Sequence, residues 1–174
     1  LETRSLAKTP GEKAEPVVIR PELPPVPEGK KRIVITGAAG FIGINLVRRL
    51  LAEGNQVVAL DNLIAANEAF SSLFTKDPNF YFKQFDVSEP FDVEGPLDQV
   101  LHLASLASPV DYYGRPLETL RSGLLATRET VELARRKHAR FLFTSTSEVY
   151  GDPEIHPQPE TYAGQVSPFK KRSQ

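Results

Sequence analysis

The chain of 174 residues is 40% hydrophobic and 25% charged, the balance of a globular domain and not of a disordered one. Its 21 Lys and Arg against 22 Asp and Glu leave a net charge of -1, which excludes a global field for nucleic acid or an acidic membrane surface. With no Cys it can form no disulfide, thiolate metal site or Cys nucleophile, and a reducing, cytoplasmic setting is the expectation.

Residues 1–30 hold Pro10, Pro16, Pro21, Pro24, Pro25 and Pro27, a spacing that forbids a helix and starves a sheet of donors, so an extended arm is expected. A tail, a linker or a strap on a neighbouring subunit would each fit, the tail being the plainest. Residues 32–36, Arg-Ile-Val-Ile-Thr, are short, apolar and β-branched, as a buried parallel strand requires. A glycine turn follows. Over residues 41–53 Phe41, Ile42, Leu46, Val47, Leu50 and Leu51 recur at helical spacing, and Gly54 stands where a left-handed cap would end the helix. Gln56-Val-Val-Ala-Leu60 predicts a second strand, and apolar runs of this length are far below the roughly 20 residues that span a bilayer, so no membrane partner is expected.

Strands are predicted again over residues 80–85, 99–104 and 140–145. Between Pro116 and His138 the positions Leu117, Leu120, Leu124, Thr127, Val131 and Ala134 step by three and four, predicting one long amphipathic helix. Alternating strands and helices without hairpin signals argue an α/β fold, a Rossmann-type doubly wound parallel sheet. His102 and His138 have no ligand partner at metal spacing, so no metal site is expected.

The run Thr36-Gly-Ala-Ala-Gly-Phe-Ile-Gly43 reads G-x-x-G-x-x-G between a strand and a helix, the context of a phosphate-binding turn. Gly37 permits the tight turn, Gly40 lets backbone approach a pyrophosphate, and Gly43 removes a side chain where the helix packs closely. The helix N-terminus, with Ala39, Phe41 and Ile42 around it, offers free N–H groups to phosphates. Asp61 ends the second strand 18 residues after Gly43, where a carboxylate can accept both ribose hydroxyls of an adenosine. This favours NAD over NADP, because a 2'-phosphate would meet negative charge.

These residues resemble the extended short-chain dehydrogenase/reductases, whose T-G-x-x-G-F-I-G is matched over residues 36–43. Asp86-Val87, His102-Leu-Ala-Ser105 and Ser145-Thr-Ser-Glu-Val-Tyr-Gly-Asp-Pro153 follow in the family order. The last run, continued through Gln158, and Ala107-Ser-Pro-Val-Asp-Tyr112 are similar to the UDP-glucuronate decarboxylase (UDP-xylose synthase) branch. The resemblance implies an enzyme that binds NAD over residues 31–168 and takes a nucleotide sugar, UDP-glucuronate. The implied chemistry oxidises the sugar at its 4-carbon, releases carbon dioxide and returns hydride to give UDP-xylose.

Residue by residue, the resemblance places Asn62 with Asp61 beside the ribose, Asp86 and Val87 at the adenine, and Leu103, Ala104 and Ser105 along the cofactor groove. Ser108, Pro109, Tyr112 and Ser147 would face the sugar, and Thr146 and Glu148 would belong to the catalytic group. Read without the resemblance, Thr146 and Ser147 could cap the next segment and Glu148 could be a solvated carboxylate.

The family's Tyr-x-x-x-Lys pair is absent, since none of the five Tyr is followed four residues later by Lys. Residues 169–174 would form the approach to that segment, and the 174-residue chain is expected to bind cofactor without turnover. The D-N-x-x-x-G-R continuation is also replaced after Asn62, and Gly123 stands where Asn is usual. Another NAD-dependent epimerase or dehydratase and a noncatalytic NAD-binding module are the competing readings. Relatives are often dimers through their helices, which leaves a homodimer open.

Overall fold

A computed structural model describes residues 15–65 and 70–166. The arm before residue 15 and the expected approach at 169–174 lie outside the described residues. The chain divides into a first unit ending at Leu142 and a second beginning at Phe143.

The strands are β1 (Val17–Ile19), β2 (Arg32–Thr36), β3 (Gln56–Asp61), β4 (Phe80–Gln84), β5 (Phe91–Val93), β6 (Gln99–His102) and β7 (Arg140–Phe143), the last ending at the first residue of the second unit, with helices following β2, β3 and β6. Five of them form one sheet in the order β4-β3-β2-β6-β7, with β2 paired in parallel to both β3 and β6, and β3 to β4. The chain therefore runs outward from β2 to one edge, then crosses back to the other side. That reversal beside β2 is where open α/β sheets leave a crevice past their carboxyl ends.

Side chains alternate across the sheet, as the strand period demands. Ile33, Ile35, Val57 and Ala59 face one core with Val47 and Leu51, while Val34, Val58, Leu60 and Val100 face the other with Leu133 and Ala134. The first face is covered by α1 (Phe41–Ala52), which buries Gly43, Val47 and Leu51 at four-residue steps. Gly54, at φ +81°, closes that helix, its N–H bonded to the Leu51 carbonyl at 2.8 Å. Four residues, α2 (Phe70–Leu73), place the buried ring of Phe70 edge-on to Phe74, Phe80 and Phe82.

The second face is covered by α5 (Thr127–Lys137), preceded by α3 (Pro109–Gly114), α4 (Pro116–Arg121) and a π-helical turn at Ser122–Ala126. The expected continuous helix is thus interrupted by one wide turn, and its phase changes there. Beyond the turn the buried residues are Glu129, Thr130, Leu133 and Ala134, whereas Leu117, Leu120, Leu124 and Val131 of the predicted stripe are exposed. His138, in the left-handed region at φ 52°, ends α5.

The arm holds an element that its prolines hid. Between Pro16 and Pro21, β1 pairs in parallel with β5, buries Ile19 to 3% exposure and sends Leu23 against the core. The buried Gln56 amide donates to the Pro24 carbonyl at 2.6 Å and accepts from Arg32 Nε at 2.9 Å. Residues 15–30 therefore lie against their own unit. Ile19→Ala should cost about 2–5 kcal/mol in a urea unfolding experiment, whereas a wild-type midpoint would show that the arm contributes nothing.

Candidate functional site

A groove opens past the carboxyl ends of the central strands. It is lined by Gly37 and Gly40 after β2, Leu60, Asp61 and Asn62 at the end of β3, Phe85, Asp86 and Val87 after β4, and Leu103, Ala104, Ser105 and Leu106 after β6. Nine of the thirteen residues expected to bind cofactor stand in that lining: Gly37, Gly40, Asp61, Asn62, Asp86, Val87, Leu103, Ala104 and Ser105. Ala39, Phe41, Ile42 and Gly43 of the turn are not in that lining.

The three glycines have different constraints. Gly37 has φ +68°, and a Cβ there would lie 2.7 Å from Ala104 N, so the turn presses against the loop after β6. At Gly43 a Cβ would meet the Gly37 carbonyl at 2.3 Å and the Ala38 carbonyl at 2.5 Å, so the helix packs on the turn itself and not only on the sheet. Gly40 is the open one, its nearest neighbour to a Cβ being the Gly37 oxygen at 3.4 Å. It begins α1 as the cap residue, where the first-turn N–H groups lack helical acceptors.

Asp61 is 9% exposed and both of its carboxylate oxygens accept backbone N–H groups. Ala39 donates to one at 2.9 Å and Leu63 to the other at 2.8 Å, so the acid joins the glycine turn to the loop after β3. Each carboxylate oxygen has a second lone-pair direction for a ligand hydroxyl. Asp86 accepts from Ser88 N at 2.9 Å, which sets the bend beneath the groove.

His102 packs directly behind the lining at the end of β6, 1% exposed and stacked on Phe141. Its Nδ1 lies 2.7 Å from the Thr36 hydroxyl and its Nε2 3.1 Å from the Thr127 hydroxyl. The Thr36 oxygen also accepts Ala104 N–H at 3.3 Å. A hydroxyl both donates and accepts, so each ring nitrogen of His102 has a threonine partner whichever of them carries the proton. Burial pushes the His102 pKa down from 6.5 to about 4.

On α3, Ser108 is the cap residue and Pro109 the first helical residue, both exposed, while Tyr112 is half-buried with its ring 4.8 Å from Tyr113. These sugar-facing candidates are not part of the groove lining. In the second unit, Thr146 caps the 3-10 turn Ser147–Tyr150 by accepting Glu148 N–H at 3.2 Å, and Glu148 is partly exposed. Gly151 and Gly164 let this segment close, since a Cβ at Gly151 would lie 2.0 Å from the Gln165 carbonyl. His156 bonds within its own loop to Pro153 and Gln158.

Sequence reasoning missed Leu60, Ile64, Ala65, Phe85, Leu106, Ser122 and Ala126, which complete the lining. Leu60 and Phe85 stand at strand ends, a usable signal, and Leu106 lies in the loop after β6, whereas Ser122 and Ala126 enter through the π turn. Among the described residues no group of three His, Cys, Asp or Glu could hold a metal, and no helix is long and apolar enough to cross a membrane.

Residues 33–174 match the model of the NAD dependent epimerase/dehydratase family. UDP-glucuronic acid decarboxylase 1 of Arabidopsis thaliana is 45% identical over 151 residues, covering 86% of this chain and 34% of that protein. The chain thus spans about a third of the length of the curated relatives it matches. Among solved structures, a UDP-galactose 4-epimerase aligns with TM-score 0.63 and 30% identity over 77% of this chain and 44% of that one. An enzyme of Bordetella bronchiseptica in complex with NAD aligns at TM-score 0.67 and 22% identity, over 80% and 46%, a likeness of fold.

The buried histidine makes stability depend on pH. A ring whose folded pKa lies near 4 and unfolded pKa near 6.5 takes up its proton more readily in the unfolded chain, so its contribution is full above 6.5 and lost as pH falls toward 4. His102→Gln should flatten the unfolding free energy between those limits by about one proton; an unchanged slope in urea melts across that range would contradict it.

Proposed function

The chain belongs to the NAD dependent epimerase/dehydratase family, and we propose that its groove holds NAD for a nucleotide-sugar reaction, the decarboxylation of UDP-glucuronate. The observation that carries the cofactor reading is the glycine cradle. At Gly40 the backbone is bare toward the groove without being crowded from behind, a space that a side chain would fill.

The N–H groups of the first turn of α1 bind the pyrophosphate. Asp61 takes the ribose hydroxyls on the lone pairs left by Ala39 and Leu63, and would repel a 2'-phosphate. Asn62 stands beside it, Asp86 and Val87 flank the adenine, and Leu103, Ala104 and Ser105 form the opposite wall. NAD, when bound, supplies reversible hydride acceptance.

The sugar assignment rests on the resemblance and on relatives named UDP-glucuronic acid decarboxylase at 43–45% identity. Ser108, Pro109, Tyr112 and Ser147 are assigned to the sugar. The Thr146 hydroxyl, whose oxygen already accepts Glu148 N–H, has its proton to donate to a sugar oxygen, and Glu148 is assigned to acid-base work there. A base for the 4-hydroxyl is not among these assignments. The absence of Cys supports a cytoplasmic setting. Exposed Leu117, Leu120 and Leu124 support a homodimer, which sedimentation should register as a doubled mass; a monomer at high concentration would remove that part.

Calorimetry should record binding of NAD and then of UDP-glucuronate. UDP-galactose binding in place of UDP-glucuronate would transfer the assignment to an epimerase, as the solved neighbour suggests. Failure of both sugars with NAD still bound would favour a noncatalytic module. Gly40→Leu should keep its melting temperature and lose NAD, whereas Gly43→Ala should lose about 2 kcal/mol or more of stability because its Cβ meets fixed backbone. Retained NAD affinity in Gly40→Leu would remove the pyrophosphate assignment.

A further inference from the structure

The groove is short of positive charge. Its lining contains two carboxylates, Asp61 and Asp86, and among the described residues no Lys or Arg. A pyrophosphate brings two negative charges into that setting, and a helix N-terminus supplies only about half a unit of opposite sign.

The cation placed to supply the rest is Arg115. It joins α3 to α4 and reaches back across 51 residues of sequence to donate from Nη1 to the Ile64 carbonyl at 3.3 Å. Ile64 and Ala65 belong to the groove lining after β3, so this bond ties the guanidinium, itself outside the lining, to the backbone of a lining residue. Neighbouring Arg121 is paired with Glu89 at 2.6 Å, whereas Arg115 is in no ion pair among the described residues. One N–H of the guanidinium is committed to Ile64, and the others form a fork suited to phosphate oxygens.

We propose that Arg115 is a specificity-determining residue that recognises the pyrophosphate of the dinucleotide from beside the groove lining. The inference rests on the NAD reading and deepens it. Arg115 selects for charged dinucleotides over nucleosides, and because it is exposed its contribution is moderate and screened by salt.

The test uses the 174-residue chain, its R115A and R115K variants, and three probes: NAD and ADP-ribose by calorimetry, and uncharged adenosine by NMR titration. R115A should weaken NAD and ADP-ribose by about two- to fivefold, reduce the salt dependence of their binding, and leave adenosine affinity unchanged. R115K, which keeps the charge and loses the fork, should fall between. If the unaltered chain binds NAD and R115A binds it equally well, the inference is overturned while the cofactor reading stands. Equal weakening of adenosine would overturn it too, because Arg115 would then only brace the loop. Failure of the unaltered chain to bind NAD would bring down the cofactor reading and this inference together.

Discussion

The architecture depends on backbone meeting backbone at one turn. Gly37 lies against the loop after β6, and Gly43 lies against the carbonyls of Gly37 and Ala38, with no room for a methyl group at either point. This contact lets α1 begin directly above the end of β2, and it brings β2, β3 and β6 to a common edge where a groove can open. The bonds from Ala38 N to the Leu60 carbonyl and from Ala39 N to Asp61 then tie the turn to the neighbouring strand. A ligand reaching the groove meets a surface already fixed from behind, so little ordering remains to oppose binding.

What could be read from the sequence was what local chemistry dictates. The apolar runs around Val34 and Val58 are buried on both faces, so every residue there carries the same signal, and the glycine spacing marks a turn that has no room for a side chain at Gly37 or Gly43. Asp61 could be singled out by its place at the end of a buried strand, but the backbone donors that fix it, Ala39 and Leu63, come from the fold. The short strands Val17–Ile19 and Phe91–Val93 were not legible, because three residues form a strand only if their partner is present.

The helix after Pro116 shows the same division. Its existence follows from spacing, but the wide turn at Ser122–Ala126 changes which side faces the sheet, and no local propensity announces it. That turn also delivers Ser122 and Ala126 to the groove. Arg115 was overlooked on similar grounds, for an arginine beside a proline says nothing until its acceptor at Ile64 is in place. In the second unit, Thr146 serves as the cap that its residue type allows.

The pairing of β1 with β5 bears on where this domain starts. The motifs set the boundary at Lys31 and the family model at Ile33, but the packing sets it some fifteen residues earlier, ahead of β1. A version trimmed to the motif would open the pocket that receives Ile19 and leave the Gln56 side chain to find new acceptors in place of the Pro24 and Pro25 carbonyls. Stretches that look like dispensable leader can be the floor of a fold, and any shortening, grafting or fusion of this one should be planned from the hydrogen bonds of Gln56 and not from the glycine signature.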